Sequence, residues 1–115
     1  MVLVNDRTIS AAENFAIMMR EFPHVTIVGQ TTAGALADTY VHRIGEGWAF
    51  GVPSNILRDA RGRSWEGIGV VPDIWATSSA DEIAKGEDYA LRTAMAVARA
   101  SLRMSASQSR HAKAD

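Results

Sequence analysis

Two short runs of β-forming residues flank one helix signature near the start of the chain. This spacing constrains the fold more than any other feature. The runs are Val2-Leu3-Val4 and Val25-Thr26-Ile27-Val28. Between them Ser10-Ala11-Ala12-Glu13 has the S-x-x-E form of a capping box. Ala12, Phe15 or Ala16, Met19 and Phe22 then recur at helical spacing, and Pro23 ends the helix by pushing its predecessor out of the α region. Strand, helix and strand within roughly 30 residues form a βαβ unit, which implies a parallel pair joined by a right-handed crossover. Because Val2, Leu3 and Val4 show no polar alternation, they read as a strand covered on both faces. A chain that starts inside such a strand is expected to be part of something larger. The alternative is an edge strand in a small complete domain.

The remainder alternates turns with short elements. Gln30 to Asp38 is a loop of small residues, read as flexible. Thr39 to Ile44 and Trp48 to Val52 flank Gly45-Glu46-Gly47 as a β-hairpin. Pro53 to Arg63 is a polar connection, and Val70-Val71 and Ile74-Trp75 are extended. Asp81 to about Met104 is predicted as one long helix, capped by Ser78 or Ser79, with Ile83, Leu91, Met95, Ala98 and Leu102 as its apolar stripe. Gly86 is a weak point inside it. The small polar residues 105–115 are expected to be a disordered tail, leaving residues 1–104 as the folded part.

Composition removes several function classes. The 115 residues fit one domain, and 47% hydrophobic with 22% charged residues mark a globular chain. Twelve basic against thirteen acidic side chains give a net charge of -1, against a nucleic-acid clamp. No apolar run reaches the roughly 18 residues of a membrane helix. Cysteine is absent, which excludes disulfides, thiolate chemistry and cysteine-zinc sites. The apolar start stops at Asn5-Asp6-Arg7, so no signal peptide is visible. No GxGxxG or P-loop is present, and no metal or organic cofactor is implied.

Two residues carry candidate chemistry. Ser10 stands where a strand turns into a helix, beside free backbone N–H groups and the positive end of the dipole, the parts of an oxyanion hole. It equally serves as a plain helix cap. Glu66, in Trp65-Glu66-Gly67-Ile68-Gly69, is placed to orient a histidine as the third member of a hydrolytic triad, or is simply a loop acid. Of the histidines, His24 follows Pro23 in a turn, His42 lies on a strand face, and His111 falls in the tail; none has a metal-ligand spacing partner.

Four stretches occur in one order: Val2 to Asn5, Thr8-Ile9-Ser10-Ala11-Ala12-Glu13-Asn14-Phe15-Ala16, Thr26 to Gly34, and Trp65 to Asp73. Together they resemble the tail-specific, or C-terminal processing, serine peptidase family, which includes the tricorn core protease and the repeats of interphotoreceptor retinoid-binding protein. The resemblance implies a crotonase-like (ClpP/crotonase) α/β layered fold, here partial, and cleavage of peptide bonds near polypeptide C-termini. It makes Ser10 the nucleophile and the Ala11 N–H half of the oxyanion hole. Gly34 is followed by Ala35, so the lysine of the Ser-Lys dyad is absent. In the tricorn-like branch a histidine supported by a glutamate is the base, and Glu66 matches that glutamate. The family's histidine and the second half of its oxyanion hole lie upstream of the serine, so the chain is expected to be a fragment that is inactive alone. It is also expected to self-associate and to act, when complete, on a polypeptide substrate. The alternative is a non-catalytic module binding hydrophobic molecules, like the retinoid-binding repeats.

Overall fold

The computed structural model describes residues 1–111. Three short strands, β1 (Val2–Val4), β2 (Ile27–Gly29) and β5 (Ile74–Trp75), form a parallel sheet in the order β1-β2-β5. The first helix, α1 (Ala11–Arg20), connects β1 to β2, and Val2, Leu3 and Val4 pair with Ile27, Val28 and Gly29. This is the βαβ unit that the sequence spacing predicts. The strands β3 (Thr39–Gly45) and β4 (Trp48–Pro53) form a separate antiparallel hairpin. Two helices follow β5: α2 (Ala80–Ala84) and α3 (Tyr89–His111).

Strand alternation divides the core in two. Ile27 and Val28 are consecutive on β2 and point to opposite faces. Ile27 packs with Val4, Ala16 and Val70, with Val2 and Ile17 against them. Val28 packs with Ala76 and Ala94, with Ile74 and Ala90 alongside. Helices α1 and α3 therefore cover opposite faces of one sheet, and all three residues of β2 are buried. The central strand can be fully apolar because both faces are covered.

Several sequence expectations are corrected here. β1 is an edge strand and is not covered on both faces: Val4 is buried, but Leu3 is 46% exposed. The buried face of α1 carries Glu13 and Ala16, while Phe15 and Phe22 are exposed. The reason is that Val4, Ile27 and Val70 meet the small Ala16, and the polar loop after β2 claims Glu13. The predicted long helix is broken in two. Gly86 adopts φ +72°, a conformation that ends α2 and that glycine enters at little cost. The stripe of large side chains is also displaced: Ala94 is buried, while Leu91, Met95 and Leu102 are exposed. Residues 105–111, expected in a disordered tail, belong to α3, since no glycine or proline interrupts them. Residues 112–115 of that expected tail lie outside the described residues.

The hairpin projects from this core. Every residue of β3 and β4 is exposed, including Tyr40, Ile44, Trp48 and Phe50. The radius of gyration is 19.3 Å, whereas a compact chain of this length has about 13 Å. Apolar side chains are exposed both at Leu3 on β1 and along the hairpin.

Candidate active site

Ser10 is the N-cap of α1, exposed to solvent, with φ 55° and ψ -120°. A non-glycine residue at positive φ costs on the order of 1–3 kcal/mol and persists only where its surroundings fix it. The approach to Ser10 is itself fixed. Asn5 accepts from the Arg7 N–H through Oδ1, and its backbone carbonyl accepts from the Thr8 N–H. The Thr8 carbonyl in turn accepts the Ala33 N–H at 3.0 Å. Beyond Ser10, the Ala12 N–H reaches the Ile9 carbonyl, and the Glu13 and Asn14 N–H groups reach the Ser10 carbonyl. The Ala11 N–H meets no acceptor among the described residues. An exposed hydroxyl at a helix N-terminus therefore adjoins a free amide donor.

Glu13 holds this corner together. It is fully buried, and its carboxylate accepts four hydrogen bonds. The donors are the Ser10 N–H at 3.1 Å, the Gly34 N–H at 2.7 Å, the Ala35 N–H at 2.9 Å and the Thr32 hydroxyl. Thr32, also buried, accepts the Val70 N–H at 2.7 Å on the same oxygen. A buried carboxylate is tolerated only where such donors replace water. The capping box explains only one of the four bonds. The other three fasten the loop after β2, read from sequence as flexible, against the Ser10 corner. The roles of Glu13 and Thr32 were therefore missed. The available signal was Thr31-Thr32-Ala33-Gly34, where a hydroxyl and a positive-φ glycine follow a buried strand directly.

The Glu66 segment locks onto the same loop. Gly69 has φ +80°, and a Cβ there would lie 2.2 Å from the Thr32 carbonyl oxygen. Gly34, at φ +73°, would bring a Cβ within 2.8 Å of the Gly69 nitrogen. The Gly67 N–H donates to the Gly34 carbonyl at 2.7 Å. Two backbones thus pack in direct contact, which only glycine permits. Glu66 Oε2 accepts the Leu36 N–H at 3.0 Å and the Ala37 N–H at 2.8 Å. Oε1 has no hydrogen-bond partner among the described residues.

One peptide group links the two candidates. The Ala35 carbonyl accepts the Ser10 N–H at 3.0 Å, and the Leu36 N–H of that same peptide donates to Glu66 at 3.0 Å. Carbonyl oxygen and amide nitrogen of one peptide are about 2.3 Å apart, so the Ser10 nitrogen and Glu66 Oε2 are separated by no more than about 8 Å. The histidines do not join them. His24 packs against Phe22, His42 lies between Tyr40 and Phe50, and His111 is the last residue of α3. Neither His24 nor His42 hydrogen-bonds Ser10 or Glu66. The described residues contain no group of three His, Cys, Asp or Glu side chains that could hold a metal ion. No helix among them is long and apolar enough to cross a membrane.

These geometries lie within a recognised family. Residues 1–76 match the model of peptidase family S41, and the chain belongs to that family. It is similar to a candidate peptidase from Parabacteroides merdae, with 26% identity and a TM-score of 0.71 over 84% of this chain and 31% of that one. It is also similar to mature CPAF complexed with lactacystin, with 26% identity and a TM-score of 0.65 over 71% of this chain and 16% of that one. A lipoprotein from Streptococcus agalactiae matches with 25% identity and a TM-score of 0.53, over 73% of this chain and 29% of that one. The chain thus spans less than a third of the length of each of these three solved proteins.

Proposed function

We propose that this chain carries the nucleophile segment of a serine endopeptidase of the C-terminal processing, tricorn-like kind, built on a crotonase-like layered fold. The observation that carries this reading is Ser10: an exposed hydroxyl on a strained helix N-cap, next to an amide donor without an acceptor. Strained φ at an exposed polar side chain is characteristic of functional sites, and a plain helix cap does not need it.

The chemistry follows from the parts. Ser10 Oγ attacks the scissile carbonyl carbon while an imidazole takes its proton, because a serine hydroxyl is hardly ionised at neutral pH. The carbonyl oxygen becomes an oxyanion and accepts the Ala11 N–H, supported by the dipole of α1. Collapse breaks the C–N bond, and the leaving amine takes the proton from the imidazolium. Water then hydrolyses the acyl-serine by the same route. Glu66 Oε2 is fixed by two backbone donors, while Oε1 remains free to accept an imidazole N–H and hold the ring in one tautomer. The imidazole comes from outside this chain, as does the second oxyanion donor, so the polypeptide substrate meets a complete site only when those parts are present.

The test is kinetic, on protein that includes such a histidine. Ser10→Ala is expected to lower kcat by about 10³-fold or more, and Glu66→Gln by about 10²- to 10⁴-fold. A Ser10→Ala protein that retains wild-type turnover excludes Ser10 as nucleophile. Serine-dependent turnover that is absent in the wild type as well supports a non-catalytic binding module.

A further inference from the structure

The helix α3 carries three lengthwise rows of side chains, and the fold uses only one of them. Ala90 and Ala94 meet the sheet beside Val28 and Ala76, with Ala94 buried. At roughly 100° per residue, Leu91, Met95, Ala98 and Leu102 fall within an arc of about 60° next to that row. These are four of the five residues of the stripe that the sequence spacing predicts, and the sheet does not take them. Leu91 and Met95 are each 44% exposed, and Leu102 is 71% exposed. Arg92, Arg99 and Arg103 fall within a further arc of about 40°, on the side of the helix opposite Ala90 and Ala94. All three are exposed.

Nothing on the helix balances this charge. Tyr89–His111 contains no Asp or Glu. Arg92 is ion-paired with Glu82 of α2 at 3.0 Å and with Glu87 at 2.9 Å. The Arg99 and Arg103 guanidiniums form no hydrogen bond or ion pair among the described residues. Two open guanidiniums therefore run beside an uncovered apolar stripe.

A matching surface must accept apolar side chains and carry negative charge along one side of them. A second copy of α3 brings the same arginines and no acid, so the charges repel. A partner helix in a coiled coil needs an apolar repeat sustained over about three or four heptads, whereas this stripe runs only from Leu91 to Leu102 and includes Ala98. A nucleic acid supplies phosphates but leaves Leu91, Met95 and Leu102 in water. The surface of a bilayer containing anionic lipids meets both demands. Its acyl boundary takes the apolar stripe, and its phosphates lie at the level that flanking guanidiniums reach. Arginine suits this place because its alkyl stem follows the apolar boundary while its planar fork pairs with phosphate.

We propose that α3 docks lengthwise on the surface of an anionic lipid bilayer, with Leu91, Met95 and Leu102 in the acyl boundary and Arg99 and Arg103 on lipid phosphates. The helix lies on the membrane and is not apolar enough to cross it. This docking does not depend on the role of Ser10.

Co-sedimentation of the 115-residue chain with sucrose-loaded vesicles tests it. Vesicles of phosphatidylcholine and phosphatidylglycerol in equal parts are compared with vesicles of phosphatidylcholine alone, at roughly 0.1 M salt. Partition into the mixed vesicles is expected to exceed that into phosphatidylcholine by more than about tenfold. Arg99→Gln and Arg103→Gln are each expected to lower it about fivefold, the effect of one basic residue near such a surface. Leu102→Gln is expected to lower it about tenfold by removing one apolar side chain. All three side chains are exposed, so the variants should keep the wild-type circular dichroism spectrum. Trp48→Gln, on the exposed hairpin, is expected to partition as the wild type does. Equal partition into both vesicle types, or wild-type partition of the double variant Arg99→Gln with Arg103→Gln, overturns the proposal. Wild-type partition of Leu102→Gln overturns it as well, because charge attraction alone would then suffice, as it does for a nucleic acid. A loss in Trp48→Gln equal to that in Leu102→Gln moves the contact to the hairpin. Self-association without vesicles that Leu102→Gln abolishes makes a second copy the occupant. Either of these last two results also overturns it.

Discussion

Replacing Thr32 by valine removes a hydroxyl and preserves the shape of the side chain. The hydroxyl donates to the buried Glu13 carboxylate and accepts the Val70 N–H at 2.7 Å, and Thr32, Glu13 and Val70 are all buried. The variant leaves the Val70 N–H unpaired and takes one of four donors from Glu13. An unsatisfied buried donor costs about 1–3 kcal/mol, and a hydrogen bond to a charged group contributes about 1.5–3 kcal/mol. The expected loss is about 3–5 kcal/mol, a large part of the roughly 5–15 kcal/mol of a domain. At this chain length that lowers Tm by about 10–25 °C. Thermal and urea unfolding followed by far-ultraviolet circular dichroism measures it, with Thr32→Ser as the control. The serine variant keeps both hydrogen bonds and is expected to lose about 1 kcal/mol, the value of a buried methyl. A Thr32→Val chain within about 0.5 kcal/mol of wild type would refute the view that Glu13 and Thr32 hold the corner.

Three further outcomes are expected. Gly69→Ala places a Cβ 2.2 Å from the Thr32 carbonyl oxygen at φ +80°, so it should destabilise by more than about 3 kcal/mol; a melt unchanged from wild type contradicts the loop packing. The Asp59 carboxyl sits below its ordinary 3.8, first because the Arg63 backbone N–H binds its anion, so its contribution is complete above 3.8 and is lost as pH falls through the lower folded value. Carbon-detected NMR of the carboxyl checks this, and a midpoint at or above 3.8 refutes it. The exposed apolar residues of the hairpin, Ile44 and Trp48 among them, predict self-association in sedimentation velocity at high concentration. Ile44→Lys with Trp48→Lys should restore the monomer, and a wild-type monomer at all concentrations contradicts the expectation.

The βαβ unit was legible because each element carried its own local signal. Val2, Val4, Ile27 and Val28 are β-branched and Leu3 is apolar, Ser10 and Glu13 mark a helix start, and Pro23 marks its end. The site corner was only half legible. The S-x-x-E spacing locates Ser10 at the cap, but a capping box accounts for Glu13 completely and so conceals its three bonds to residues 32–35. Those bonds join residues about 20 apart in sequence, and no periodicity reports on such contacts. Helix faces were misread for a related reason. The spacing leaves Phe15 or Ala16 open on α1 and places Leu91 in the stripe of the last helix, yet the sheet meets Ala16 and Ala94, whose small side chains allow close approach. The meeting of Arg20 and Arg63 over the Trp65 ring has no sequence pattern either, since Arg20 comes from a distant part of the chain.

The central claim is that Ser10 is an activated nucleophile, and covalent labelling tests it most directly. Protein that includes the histidine-bearing portion of the domain is treated with a fluorophosphonate, digested, and mapped by tandem mass spectrometry. The phosphonyl adduct is expected on the peptide containing Ser10, with labelling abolished in Ser10→Ala, slowed in Glu66→Gln, and absent from the 115-residue chain alone. An adduct on another serine, or labelling that persists unchanged in Ser10→Ala, would contradict the account.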